Sequence, residues 1–122
     1  MLQKLSVRNF AVISQVEFAP QPGLNVFTGE TGAGKSVAIS ALSFALGARG
    51  SVSLIKDGAD KLEVRAEFDA AGLSEELKQK YLLQKNSVVL TRSLDRNGKG
   101  KSFINGRPVA VADLAELGKF LV

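Results

Sequence analysis

Gly29-Glu30-Thr31-Gly32-Ala33-Gly34-Lys35-Ser36 satisfies the pattern G-x-x-x-x-G-K-[ST] at each of its fixed positions. Chance supplies such a fit in roughly one chain of this length in a hundred. Its flanks strengthen the reading. Leu24-Asn25-Val26-Phe27-Thr28 is apolar and partly β-branched, as a short buried strand should be, and a helical pattern runs from Lys35 to about Gly47. A glycine-rich turn between a strand and a helix is the setting in which this pattern cradles phosphate.

Each residue type meets a physical need. The glycines open backbone angles that let successive N–H groups turn inward around an anion, and the backbone of Glu30, Thr31 and Ala33 joins that lining. The start of the helix adds unpaired N–H groups and the positive end of its dipole. Lys35 brings an ammonium to the β and γ phosphates and is the candidate catalytic residue; the Ser36 hydroxyl offers oxygen to Mg²⁺, a hard ion. A turn that only ended a strand and capped a helix would need no Lys and Ser together. The stretch therefore reads as a nucleoside triphosphate site.

Composition sets the bounds. The chain has 122 residues, 45% of them hydrophobic, which is one domain's worth with a proper core. Its formal net charge is +4, but the 16 basic residues are spread along the chain, so charge alone does not argue for nucleic acid. Cysteine and histidine are absent, which excludes disulfides, thiol nucleophiles and imidazole chemistry and suits a reducing cytoplasm. Met1-Leu2-Gln3-Lys4-Leu5 lacks a signal-peptide core, and no apolar run approaches the ~18 residues that would span a bilayer. A soluble cytoplasmic protein without membrane contact is expected.

Outward from the loop, residues 2 to 8 and Ile13 to Phe18 read as strands, and Pro20-Gln21-Pro22-Gly23 as a turn. Together they suggest an antiparallel edge beside a nucleotide-binding core. The helix after the loop is apolar on most sides, through Val37, Ala38, Ile39, Ala41, Leu42, Phe44, Ala45 and Leu46, and is expected to lie buried, with Ser40 and Ser43 as small packing residues and Gly47 as its stop. Residues 48 to 60 are loop-like; Arg49 and Lys56 could reach phosphate but read better as surface charge. Lys61 to Asp69 alternates strictly, so one face is buried and the other meets water. Ser74 to about Leu83 reads as a short helix capped by Ser74. Strands follow at Ser87 to Arg96 and Ser102 to Ile104, then an Asn105-Gly106 hairpin with Pro108 at an edge, and a last helix from Val111 to Leu121 carrying Leu114, Leu117 and Leu121 on one face. The chain as a whole reads as α/β, a mixed sheet with antiparallel strands and a phosphate-loop helix.

Two stretches imitate function. Gly98-Lys99-Gly100-Lys101-Ser102 echoes the phosphate loop, but Asp95 stands where its first glycine belongs, so it reads as a hairpin turn. Asp69-Ala70-Ala71-Gly72 matches a GTPase D-x-x-G, yet no guanine-reading N-K-x-D exists in the chain. Hydrolysis also requires a buried strand that delivers a carboxylate to Mg²⁺. Neither Asp69, after an amphipathic run, nor Asp95, beside a hairpin, fits that part.

Leu5-Ser6-Val7-Arg8-Asn9-Phe10, Gly23-Leu24-Asn25-Val26 leading into the loop, Ala45-Leu46-Gly47-Ala48-Arg49 and Ser102-Phe103-Ile104-Asn105-Gly106-Arg107-Pro108-Val109 together resemble the N-terminal head segment of SMC-like ATPases. That resemblance implies the N-terminal lobe of an ABC-type head split by a long coiled coil. Residues 1–122 would then be an incomplete domain, with the remainder C-terminal of Val122. It implies ATP and Mg²⁺ bound by Gly29 to Ser36, with Arg8 and Asn9 on the adenine and ribose side. It further implies ATP-driven dimerisation with the second head of a homodimer, a C-terminal lobe carrying the Walker B pair and signature motif, and DNA as partner in double-strand break repair and recombination at the nucleoid. No heptad repeat and no L-S-G-G segment occurs in the chain. An ABC transporter subunit, a small P-loop kinase and a module using the loop structurally remain open on the residues alone.

The expected outcome for the isolated chain is Mg-ATP binding without measurable hydrolysis. A phosphate-release assay checks it; turnover abolished by Lys35→Ala would overturn the expectation.

Overall fold

In a computed structural model, the chain is described at residues 2–11, 13–18, 32–83 and 86–121, with side chains at all of these except 32–36. The elements in order are β1 (Leu2–Phe10), β2 (Ile13–Phe18), α1 (Gly32–Ala45), a 3₁₀ turn at Val52–Leu54, β3 (Lys61–Asp69), α2 (Glu75–Lys80), β4 (Ser87–Asp95), β5 (Gly100–Ile104), β6 (Arg107–Val109) and α3 (Val111–Leu121). The strand expected at Leu24–Thr28, the turn at Pro20–Gly23 and the loop residues Gly29, Glu30 and Thr31 lie outside the described residues.

The alternation of β3 sets the layers. Leu62, Val64, Ala66 and Phe68 are buried, while Lys61, Glu63, Arg65, Glu67 and Asp69 lie on the other face. Around β3 the six strands run β2-β1-β3-β4-β5-β6, each neighbour antiparallel. The antiparallel strands expected of the sheet are thus all present among the described residues, and the strand expected at Leu24–Thr28 lies outside them. α1 packs on β1, β3 and β4, and α3 on β5. One continuous core joins the buried face to the helices. On the opposite face the register sets Arg8 opposite Glu63 and Lys4 opposite Glu67, and Lys4 Nζ lies 3.1 Å from Glu17 Oε1 of β2.

Helix limits follow from local chemistry. α1 begins at Gly32, three positions before the expected Lys35, because the loop's later glycines are taken into the first turn. It ends as expected at Gly47, whose φ of +100° closes a Schellman motif. There the Ala48 N–H donates to the Ser43 carbonyl at 3.0 Å and the Gly47 N–H to the Phe44 carbonyl at 3.1 Å. α2 is shorter than expected and ends the same way without glycine. Leu82 takes φ +56° and Leu83 N–H donates to the Lys78 carbonyl at 2.8 Å, which turns the Leu83 side chain into the core. Ser74 caps α2 as read, accepting from the Leu77 N–H.

One expectation for α1 needs correcting. Ala38, Ala41, Phe44 and Ala45 are buried, but Ile39 is 60% exposed and Ser40 and Ser43 are exposed as well. The helix rests on the sheet through a face of small residues, so only half its circumference is covered. The hairpin readings hold: Asn105 (φ +50°) and Gly106 (φ +82°) make the two-residue turn between β5 and β6, and Pro108 sits on the edge strand.

α2 and α3 are joined by a polar cluster. The Tyr81 hydroxyl donates to Glu116 Oε1, with Asp113 Oδ1 at 3.2 Å, and Lys80 Nζ donates to Glu116 Oε1 at 2.7 Å. The hydrogen bonds from Lys80 and then Tyr81 hold the Glu116 carboxyl below its usual range; the bond to Glu116 raises Lys80, and burial, followed by the same bond, pushes the Tyr81 phenol up. A depressed carboxylate contributes stability above its unfolded pKa of about 4.3, lost as pH falls through the folded value. Raised lysine and phenol groups contribute fully below about 10 and lose that contribution as pH rises. The stability difference between the unaltered chain and Glu116→Gln, followed as Tm, should be largest near neutrality and shrink between about pH 5 and pH 3. A difference independent of pH across that range would contradict the cluster's role.

Candidate functional site

α1 carries the end of the phosphate-loop motif on its own backbone. Gly32, Ala33, Gly34, Lys35 and Ser36 form its first residues, and the N–H groups of the opening ones, Gly32, Ala33 and Gly34, belong to the turn whose donors have no partner within the helix. The first turn contains no acidic residue, so among the described residues of the helix none puts a negative charge at its positive dipole end. These two features fit a polyphosphate anion.

Arg8 and Asn9, expected on the base side, lie together at the end of β1 but in different settings. Arg8 is exposed on the polar face, between Gln15 and Glu63, and that face is opposite the one α1 covers. Asn9 takes φ +54° and its carbonyl accepts from the Lys56 N–H at 2.9 Å. Ala11 N–H donates to the Leu54 carbonyl at 2.6 Å, and Phe10 bridges Ile55. The segment 52–56, read from sequence as open loop, is therefore sewn to the β1–β2 turn. Arg49 is exposed, as expected of surface charge.

Both suspect acids are spent locally. Asp69 Oδ1 accepts from the Ala71 N–H at 2.9 Å, and Asp95 Oδ1 accepts from the N–H groups of Asn97 and Lys99, each at 2.9 Å. These are turn-forming roles. The D-x-x-G match and the second glycine-lysine run are thereby accounted for as turns.

Two arginines escaped the sequence reading. Arg96 donates from Nε to the Ala59 carbonyl at 2.8 Å and from Nη2 to the Lys56 carbonyl at 2.9 Å, pinning the 56–60 segment to the end of β4. Arg92 donates from Nη1 to the Phe44 carbonyl at 2.8 Å and to the Ala48 carbonyl, and its guanidinium lies 4.1 Å from the centre of the Phe44 ring. Bonds of this charge-assisted kind contribute about 1.5–3 kcal/mol each when water is kept away. Burial pushes the Arg92 guanidinium down from its ordinary value. A signal for Arg92 existed: on β4 the buried apolar positions are Val88, Leu90 and Leu94, and Arg92 stands where their alternation calls for an apolar residue.

Comparison with known proteins follows this geometry. A family described as "AAA domain" matches residues 4–120, and the chain belongs to it. Over its whole length the chain is 40% identical to the DNA repair protein RecN of Vibrio cholerae, of which it spans 23%. The chain thus spans about a quarter or less of the curated relatives it matches. Its fold is that of SMC-type ATPase heads. A solved SMC ATPase, studied for ATP-driven dimerization and DNA stimulated activation, superposes with a TM-score of 0.77 at 21% identity, over 99% of this chain and 80% of that one. The recombination mediator protein RecF-ATPrS superposes with a TM-score of 0.73 at 18% identity, over 93% of this chain and 29% of that one. Among the described residues no helix is long and apolar enough to cross a membrane.

Proposed function

We propose that this chain is the ATP-binding part of an SMC-like ATPase head that serves DNA double-strand break repair and recombination. The observation that carries the reading is the G-x-x-x-x-G-K-S motif running into a sheet-backed helix with no acid in its first turn. Membership of the AAA domain family and similarity to RecN over the full chain supply the context.

In this reading the backbone N–H groups from Gly29 to Ser36 hold the phosphates, Lys35 neutralises charge between the β and γ groups, and the Ser36 hydroxyl is a ligand to Mg²⁺. The metal supplies charge neutralisation across the phosphates when bound. Asn9, at the left-handed corner that closes β1, is the candidate for the base and ribose side; Arg8, on the sheet face away from α1, is not given that part. Asp69 and Asp95 are committed to turns, so the carboxylates that position a metal and an attacking water come from elsewhere in the protein. A C-terminal lobe and the second head of a homodimer are the sources. ATP binding then closes the dimer, DNA is the partner, and the setting is the cytoplasm at the nucleoid.

Calorimetry with Mg-ATP tests this on the intact polypeptide. Lys35→Ala should lower affinity by at least about tenfold, the loss of one charge-assisted contact to phosphate. Unchanged affinity would remove Lys35 from the site and the reading with it.

A further inference from the structure

The fully buried side chains of α1, among those described, are Ala38, Ala41, Phe44 and Ala45, with Val37 and Leu42 partly buried against the same core. Three of the four are alanine, and an alanine face offers no knob to fix a helix along its axis; large side chains seated in grooves do that. Phe44 is the exception, and it is held from several directions. Its ring meets Phe10 edge-on at a centroid distance of 6.3 Å, and Gly50 lies so close that an added Cβ would stand 2.7 Å from Phe44 Cε1. The Arg92 guanidinium covers the ring, and Arg92 Nη1 grips the carbonyls of Phe44 and Ala48. Gly47 abuts Ala115 of α3 with no room for a side chain. Among the described residues, the side-chain hydrogen bonds, ring contacts and closest glycine approaches that tie α1 to the rest of the fold are therefore at its C-terminal end, while Val37 and Leu42 add only partly buried apolar packing.

We propose that Arg92 is a positioning residue for nucleotide binding: by gripping the C-terminal end of α1, it sets where the first turn of that helix stands. An α-helix is stiff along its axis, so a slip at Ala45 is reproduced at Gly32, about 20 Å away at 1.5 Å per residue. Amide donors aimed at phosphate lose their geometry over a few tenths of an ångström. Lysine would be a poor substitute, because an ammonium has no flat guanidinium plane to lie on the Phe44 ring while one of its nitrogens donates to the two carbonyls. The inference rests on the phosphate role proposed for the loop.

The test compares Arg92→Met and Arg92→Lys with unaltered intact polypeptide, by Mg-ATP calorimetry and by amide hydrogen exchange. In Arg92→Met, amides of residues 38–45 should exchange about tenfold faster, those of β3 should be unchanged, and Mg-ATP should bind about tenfold more weakly, with Arg92→Lys intermediate. A merely structural role would speed exchange in β3 along with α1, and that result overturns the proposal. So does Mg-ATP affinity within twofold of the unaltered protein. Should Arg92→Met fail to fold, Arg92→Lys decides: selective loosening of α1 with about threefold weaker binding supports the proposal, and unchanged binding overturns it. If the unaltered protein binds no Mg-ATP, the loop's phosphate role has failed and this proposal falls with it. Selective loosening of α1 in that case would still separate the failure of the loop from a failure of the grip.

Discussion

A helix that offers its first turn to a ligand has to be secured from its other end. In this chain the requirement falls on a small region where Phe44, Gly47, Gly50 and Arg92 meet. Close packing gives that region its force, since Phe44 is 2% exposed and removing so large a buried ring costs about 3–5 kcal/mol. The sheet contributes flatness and the alanine face lets α1 lie close against it. The grip on Phe44 contributes the position.

The rest of the molecule can be understood as serving that arrangement. The strict alternation of β3 commits one sheet face to the helices and leaves the other polar, where Arg8, Glu63, Arg65 and Glu67 face water. The 3₁₀ turn at Val52–Leu54 and its neighbours are tied to β1 by Asn9 and Ala11 and to β4 by Arg96, so the chain leaving α1 is fastened on both sides. The Tyr81, Glu116 and Lys80 cluster locks α2 to α3, and α3 in turn closes over Gly47. The carboxylates that could tempt a hydrolytic assignment are consumed in forming turns. On the proposed function, binding and turnover are thereby separated, the first belonging to this chain and the second to the remainder of the protein.

Much of this was legible in the residues because it is local. The alternation of Lys61 to Asp69, the Ser74 cap, the Gly47 stop and the Asn105-Gly106 hairpin each depend on a few neighbouring residues and their backbone preferences. Long-range contacts were not legible. Arg92 reaches Phe44 across 48 positions of sequence, and only its place in an otherwise apolar alternation hinted at an inward role. The early end of α2 at Leu82 was hidden because a left-handed leucine is strained on its own and becomes favourable only when Leu83 is buried. The half-exposed α1 misled for a related reason. Apolar periodicity reports what a helix is able to bury, not how much of it this sheet covers.

The central claim is that polyphosphate sits on the first turn of α1. Backbone amide chemical shifts of the intact polypeptide, followed during titration with Mg-ATP, test it most directly. The largest shifts are expected at Gly32 to Ser36. Shifts that left those amides still and gathered instead at the sheet-face groove of Arg65, Thr91, Phe103 and Asn105 would contradict it.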